Sequence, residues 1–239
     1  MSIVVEGDEL FIANENAPTS LRVFDIAGEG AVKAKRTIAG PKTGLTNTYI
    51  FSISGGELFV ADRSDAVRIF SATDNGDIAP KRTIKGAATT LVNAFGTWVD
   101  GGELYVSNND GGGTATIDVY PATSTGNKAP TRAITIATPE DIPTSLRVVG
   151  NELFVGSTTG PITVFNKTTK VQLRKIAGAA TQLDGVFEET VTDGELFCAS
   201  YNSNKVVVFA ADANGNATPK RVLAGDKTML AGPSGVYVY

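Results

Sequence analysis

Histidine is absent from this chain of 239 residues, and cysteine and tryptophan occur once each. Without histidine there is no Ser-His-Asp or Cys-His nucleophilic system and no histidine-held metal. Nor is there a side chain that moves protons near neutrality at its ordinary pKa. The single cysteine, Cys198, rules out an internal disulfide, and thiolate-bound zinc or iron–sulfur clusters go with it. It sits in the apolar "GELFCAS", where a small core residue is expected. An enzyme built on this sequence has only Asp, Glu, Lys or Tyr to act with.

Long apolar runs are missing as well. None approaches the roughly 20 residues that a membrane helix needs, and "MSIVVEGDEL" has neither a basic n-region nor a long apolar stretch. Neither membrane insertion nor an export signal is expected. The 21 basic and 25 acidic residues are interspersed and leave a net charge of -4. No basic stripe exists to neutralise phosphates, so nucleic acid is not an expected partner. The 42% of apolar residues can fill one large core.

What the sequence does have is repetition. "GDELFIANENAPTSLRVF", "GGELFVADRSDAVRIF", "GGELYVSNNDGGGTATIDVY", "NELFVGSTTGPITVF" and "GELFCASYNSNKVVVF" place Glu9, Glu57, Glu103, Glu152 and Glu195 at intervals of 48, 46, 49 and 43 residues. Within one unit, "AFGTWVD", "GELYVSN", "TATIDVYP" and "APTRAITI" are four short segments rich in β-branched and aromatic residues, punctuated by Gly, Asn, Asp and Pro. No long 3.6-residue stripe competes. Four antiparallel strands per unit of about 45 residues specify an all-β, five-bladed β-propeller. An incomplete six-bladed propeller is the alternative. The units run 1–46, 47–92, 93–141, 142–184 and 185–232 in a single domain, with a closing strand at 233–239.

The slots agree with this reading. Leu-aromatic pairs recur from Leu10-Phe11 to Leu196-Phe197, and Phe24, Phe70, Tyr120, Phe165 and Phe209 end each third strand. Stacked between blades, these residues form the core. Arg36, Arg82, Arg132, Arg174 and Arg221 occur once per fourth strand and, with the repeated glutamates, read as cross-strand charge pairs or protected edges. "TDNGD", "TSTGN" and "DANGN" read as hairpin turns before calcium loops, because the alternating carboxylates of such loops are missing.

"GELFVADRSDAVRIFSA" and "LAGPSGVYV" resemble the strand-turn-strand signature of the NHL-repeat β-propellers, and "APKRTIKG", "APTRAITI" and "TPKRVLAG" are similar to outer strands of bacterial members. The resemblance spans essentially the whole chain. It implies a propeller without a fixed ligand and favours a secreted, periplasmic or surface location. Propeller lyases and lactone hydrolases of this kind rely on histidine or on carboxylates around a metal, and only the second option survives here.

Candidate site residues come from the places where the units disagree. The loops between second and third strands, "NENAPT", "DRSD", "NNDGGGT", "STTGP" and "YNSN", are polar and unequal, and they should share one face with the loops between blades. That face brings Asn47, Asn93, Asn108, Asn109, Asp110 and Tyr201 forward, with 108–114 as the longest loop and a possible ligand flap. In the first strands, expected to line a central channel, Glu189 enters the otherwise mostly apolar column Ile3, Phe51, Thr97, Leu146 and Val236. Glu188, Arg147 and Trp98 stand beside it. The leading expectation is a non-enzymatic, monomeric binding or scaffold propeller for a protein, glycan or surface ligand, a lectin being one subtype. The alternative is a carboxylate- or calcium-dependent hydrolase or lyase at the channel. No catalytic or metal-binding residue is assigned, and calcium is the one cofactor kept open. "SIVVE" and "SGVYVY" compete for one inner position, and the C-terminal copy is expected to take it.

Overall fold

In the computed structural model, residues 2–15, 18–63, 65–111, 113–137 and 141–238 are described. Gly112 of the expected flap and Tyr239 of the expected closing strand lie outside them. Five antiparallel sheets of four strands follow one another along the chain, the blades of a five-bladed β-propeller. The first sheet holds β1 (Ser2–Glu6), β2 (Glu9–Asn14), β3 (Ser20–Asp25) and β4 (Arg36–Ile38). The second holds β5 (Thr48–Ser54), β6 (Glu57–Asp62), β7 (Ala66–Ser71) and β8 (Arg82–Lys85), and the third β9 (Ala94–Asp100), β10 (Glu103–Asn109), β11 (Ala115–Pro121) and β12 (Arg132–Ile136). In the fourth are β13 (Pro143–Val149), β14 (Glu152–Ser157), β15 (Ile162–Asn166) and β16 (Gln172–Ile176). The fifth has β17 (Val186–Thr192), β18 (Glu195–Ser200), β19 (Lys205–Ala210) and β20 (Arg221–Leu223). By contact density the chain divides into two compact units, one ending at Ala133 and the other running from Ile134 to Val238. No helix among the described residues is long and apolar enough to cross a membrane.

Each sheet is a meander because its strands are joined by short turns at which glycine supplies a positive φ, such as Gly56 and Gly102. Sheets within a unit then bury the repeated apolar slots against each other. Between the second and third sheets lie Phe59, Ile69, Ile84, Leu104 and Tyr120, and between the fourth and fifth lie Phe154, Val164, Ile176, Leu196 and Phe209. Complete burial of one such side chain contributes roughly 1.5 to 3 kcal/mol. Leu10, Phe24 and Phe197, in the first and last sheets, are only half-buried.

The inner position of the first sheet goes to the N-terminal copy, contrary to expectation: β1 pairs with β2 from Ser2↔Ala13 to Glu6↔Glu9. Residues 233–238 form no strand. Only Gly7 and Asp8 separate β1 from β2, so closing that hairpin costs little chain entropy.

The repeated charges pair within each blade. Arg36 donates to both carboxylate oxygens of Glu9, Arg82 to Glu57, Arg132 to Glu103, Arg174 to Glu152 and Arg221 to Glu195. These bonds, above all those from arginine, hold Glu9, Glu57 and Glu195 at about 2. Within a compact unit the same arginine reaches onward: Arg36 Nη2 donates to the Ala72 carbonyl at 3.0 Å and Arg174 Nη2 to Ala211 at 2.7 Å.

Candidate functional site

Two regions carry the sequence-derived candidates. The first lies on the inner strands β13 and β17. Strand alternation turns Glu189 toward β13, where Ser145 donates a hydrogen bond to its Oε2, and sends Glu188 to the opposite face. Room for the carboxylate comes from Gly156 on β14, where an added Cβ would lie 2.7 Å from Glu189 Oε2 and would strike Ser145 Oγ. The other four units carry Ala13, Ala61, Ser107 and Ala199 at this slot. Glu189 is 2% exposed, and its Oε1 has no hydrogen-bond partner among the described residues. Burial lifts its carboxyl to about 7, against the opposing pull of Ser145 and Arg147. Arg147 Nη2 donates to Thr190 Oγ1 at 2.6 Å. Desolvation lowers the Arg147 guanidinium, an effect opposed by Glu189, Glu188 and Tyr237. Arg147 is therefore coupled to the two carboxylates electrostatically, while its Nη2 is held by a threonine.

Cys198, cross-strand neighbour of Glu189, is fully buried, and burial pushes its thiol well up. It is the small core residue expected. Trp98 stands half-buried on β9 opposite Tyr105.

The second region is the loop end of the sheets, where Asn108 and Asn109 are buried, Asn47 and Asn93 are half-buried, and Asp110 and Tyr201 are exposed. Asn108 is buried: its Oδ1 accepts from the Val92 and Asn93 amides at 3.0 and 3.3 Å, while its Nδ2 donates to Thr90 O and Asp118 Oδ2. In the preceding unit Asp62 has the same role, accepting from the amides of Thr46 and Asn47 and pairing with Arg68. Asn93 Nδ2 binds Asn109 O at 3.2 Å. Asp110 Oδ1 accepts from Thr114 N at 2.9 Å and Asp110 N donates back to Thr114 O at 3.0 Å. The 108–114 insertion thus continues the β10–β11 hairpin and closes it through Asp110, so the described residues of the expected flap form a bonded turn. These side chains pin the loops in place.

Sequence reading missed a set of residues at the start of the inner strands, beside these loops, of which Phe95 and Thr144 are buried and Tyr49 and Phe187 half-buried. Eight residues before Glu57, Glu103, Glu152 and Glu195 stand Tyr49, Phe95, Thr144 and Phe187. Tyr49 and Phe95 meet edge to face with centroids 5.5 Å apart, and the Arg63 guanidinium lies 5.2 Å from one ring centroid and 4.4 Å from the other. Burial, then Glu15, raises the Tyr49 hydroxyl. Phe187 and the exposed Tyr201 form a second ring pair at 5.0 Å. The signal was the column itself, which precedes the column of Glu189 by one turn of strand alternation. Among the described residues no group of three or more acidic, cysteine or histidine side chains could hold a metal ion.

No family model matches the chain, and no curated protein matches it. Solved structures do. A chain of a nidogen/laminin complex aligns over 95% of this chain and 79% of its own, at 14% identity and a TM-score of 0.71. At this identity the likeness is one of fold alone. The WD40 propeller domain of Doa1 aligns over 93% of this chain and 67% of its own, at 13% identity and a TM-score of 0.64. The computationally designed Ika8 protein matches all of this chain at 10% identity and a TM-score of 0.59, and this chain spans 64% of its length.

Proposed function

We propose that this chain is a non-enzymatic binding or scaffold propeller, of the NHL-like kind, that takes a protein or glycan ligand on the loop end of its sheets. The observation that carries the reading is the ring and guanidinium cluster of half-buried Tyr49 at the start of β5, buried Phe95 on β9 and half-buried Arg63 just after β6, beside loops whose own polar groups are already bonded internally. Flat aromatic and guanidinium surfaces bind sugar faces or peptide side chains without needing an acid or base. Pinned loops reduce the entropy lost on binding. Because only some units carry an aromatic at this register, one or two sites are expected, unlike a lectin with one sugar per blade.

The test is capture on a glycan array and from an extract, comparing the wild-type chain with Arg63→Ala and Tyr201→Ala. Both variants should fold, and at least one should lose the captured ligand. Equal capture by both would remove the site.

Glu189 supports a second reading, a carboxylate- or calcium-dependent hydrolase or lyase, because a carboxyl at about 7 suits proton transfer. Calcium bound only by the folded chain must raise its melting temperature. No shift at millimolar calcium, alike in wild type and Glu189→Ala, would end the calcium version.

A further inference from the structure

The turns between third and fourth strands do more than reverse the chain. Gly76 N donates to Thr37 O at 2.7 Å and Gly76 O accepts from Ala39 N at 3.3 Å, so the turn of the second blade bridges the outer strand of the first. Beside it, Asp77 Oδ1 accepts from Lys42 N at 2.7 Å. The clasp recurs with Gly126 and Asn127 on Thr83 and Ala88, and with Gly215 and Asn216 on Lys175 and Ala180. Each clasp lies wholly within one compact unit and pairs with a buried isoleucine, Ile38, Ile84 or Ile176.

Two of the three clasps are built on Asn-Gly, the pairs Asn75-Gly76 and Asn214-Gly215, while the third has Thr125-Gly126. Asn-Gly suits a tight turn, but the glycine puts no side chain between its amide and the asparagine carboxamide before it. When that amide gives its proton to hydroxide, its nitrogen can attack the asparagine Cγ. The N–Cγ bond forms, the Cγ–Nδ2 bond breaks, and ammonia leaves with a proton from water. Water then opens the five-membered imide at either carbonyl, leaving aspartate or, with the chain routed through the side-chain carbon, isoaspartate. A clasp opposes the first step by donating the glycine N–H to the neighbouring blade, and the two copies oppose it unequally. Gly76 N donates to Thr37 O, and Asn75 Oδ1 is spent on Thr37 N at 2.9 Å. Gly215 N donates to Lys175 O at 2.8 Å but shares its hydrogen with Asn214 Oδ1 at 2.9 Å. Asn214 Oδ1 reaches Lys175 N only at 3.3 Å, a long hydrogen bond. The Asn214 carboxamide is thus folded onto the nitrogen that attacks it, which places the reacting groups together before the clasp opens.

We infer that Asn214 is a deamidation site whose isoaspartate product unfastens the fifth blade from the fourth, while Asn75, in the same dipeptide, is kept intact by its clasp. The aspartate product leaves the clasp standing, because a carboxylate accepts from Lys175 N as the carboxamide does, and as Asp77 accepts from Lys42 N. Isoaspartate inserts one more backbone carbon before Gly215. Gly215 then no longer meets both Lys175 O and Ala177 N, and Asn216 is drawn away from Ala180 N. Ile176 loses the backbone partner that the turn supplies. The reaction needs only water, and its fate does not decide that of the proposed function.

The test is storage of the full chain in mildly alkaline buffer beside the synthetic peptides 69–81 and 206–220, the two that trypsin releases around Asn75 and Asn214. Mass fragmentation places each conversion, and methyl transfer from S-adenosylmethionine by an isoaspartyl methyltransferase counts the isoaspartate. The free peptides should convert alike. In the folded chain Asn75 should convert at least tenfold more slowly than in its peptide, the factor that local opening by about 1.4 kcal/mol corresponds to. Asn214 should convert severalfold faster than Asn75. Melting temperature should fall as isoaspartate accumulates at 214. Asn214→Asp should melt as the wild type does, and Asn214→Thr, which copies the third clasp, should keep its melting temperature on storage. Conversion of Asn75 as fast as Asn214 in the folded chain would overturn the inference. So would an unconverted Asn214 after its free peptide has reacted, or a chain rich in isoaspartate at 214 that melts like fresh protein.

Discussion

Replacing Glu189 by glutamine is predicted to stabilise this protein, and to do so only above a certain pH. The carboxyl is lifted from 4.5 to about 7 by burial. The folded chain therefore holds this proton more tightly than the unfolded chain, and stability falls as pH rises from 4.5 through about 7. A lift of that size corresponds to about 3 kcal/mol at most. Glutamine keeps the acceptor for Ser145 and removes the charge, but it also removes one of the groups that offset the desolvation of Arg147. A net gain of about 2 kcal/mol is the working figure, or about 4 to 8 °C in melting temperature for a chain of this size. Thermal unfolding of both proteins at about pH 8 and about pH 4.5 reads the difference directly, since the carboxyl is mostly protonated in the folded chain at the lower pH. Equal melting temperatures at about pH 8, or destabilisation of the same size at both pH values, would refute the burial argument.

Other perturbations follow from the same geometry. Gly156→Ala forces a methyl against Glu189 and Ser145 and should cost about 1 to 3 kcal/mol in urea unfolding. Glu57→Gln breaks the Arg82 pair. Its cost, discounted for partial exposure to about 1 to 2 kcal/mol near neutrality, should fade as pH drops from 4.5 toward about 2, because the lowered carboxyl stabilises the fold only while it is ionised. Cys198 should resist thiol reagents until the chain unfolds, and labelling in the native state faster than global unfolding would show its strand opening locally.

The blades were legible because each repeats the same local instruction: a turn glycine, a glutamate, a leucine and an aromatic, then a β-branched strand. The Glu–Arg pairs were legible for the same reason, being periodic and cross-strand. Glu189 was visible as a carboxylate in an apolar column, yet its setting depends on Ser145 and Gly156, which lie in the preceding blade and share no local pattern with it. The Gly-Asx turns illustrate the limit best. Their local geometry is that of any hairpin, and only the neighbouring blade shows that Asp77 or Asn216 is also a clasp. Asn108 looked like an exposed loop group because its partners, Val92 and Asn93, lie some fifteen positions away. It is buried among the Thr90–Asn93 segment and Asp118, which bond both ends of its amide.

The central claim is that the loop end, and not a buried acid, does the work of this protein. Hydrogen exchange or chemical-shift mapping of the chain loaded with its captured ligand tests it most directly. Protection or shifts should gather at Tyr49, Arg63 and Phe95, or at Phe187 and Tyr201, with the ligand recovered chemically unchanged. Perturbation centred on Arg147 and Glu189 with conversion of the ligand, lost in Glu189→Gln, would contradict it.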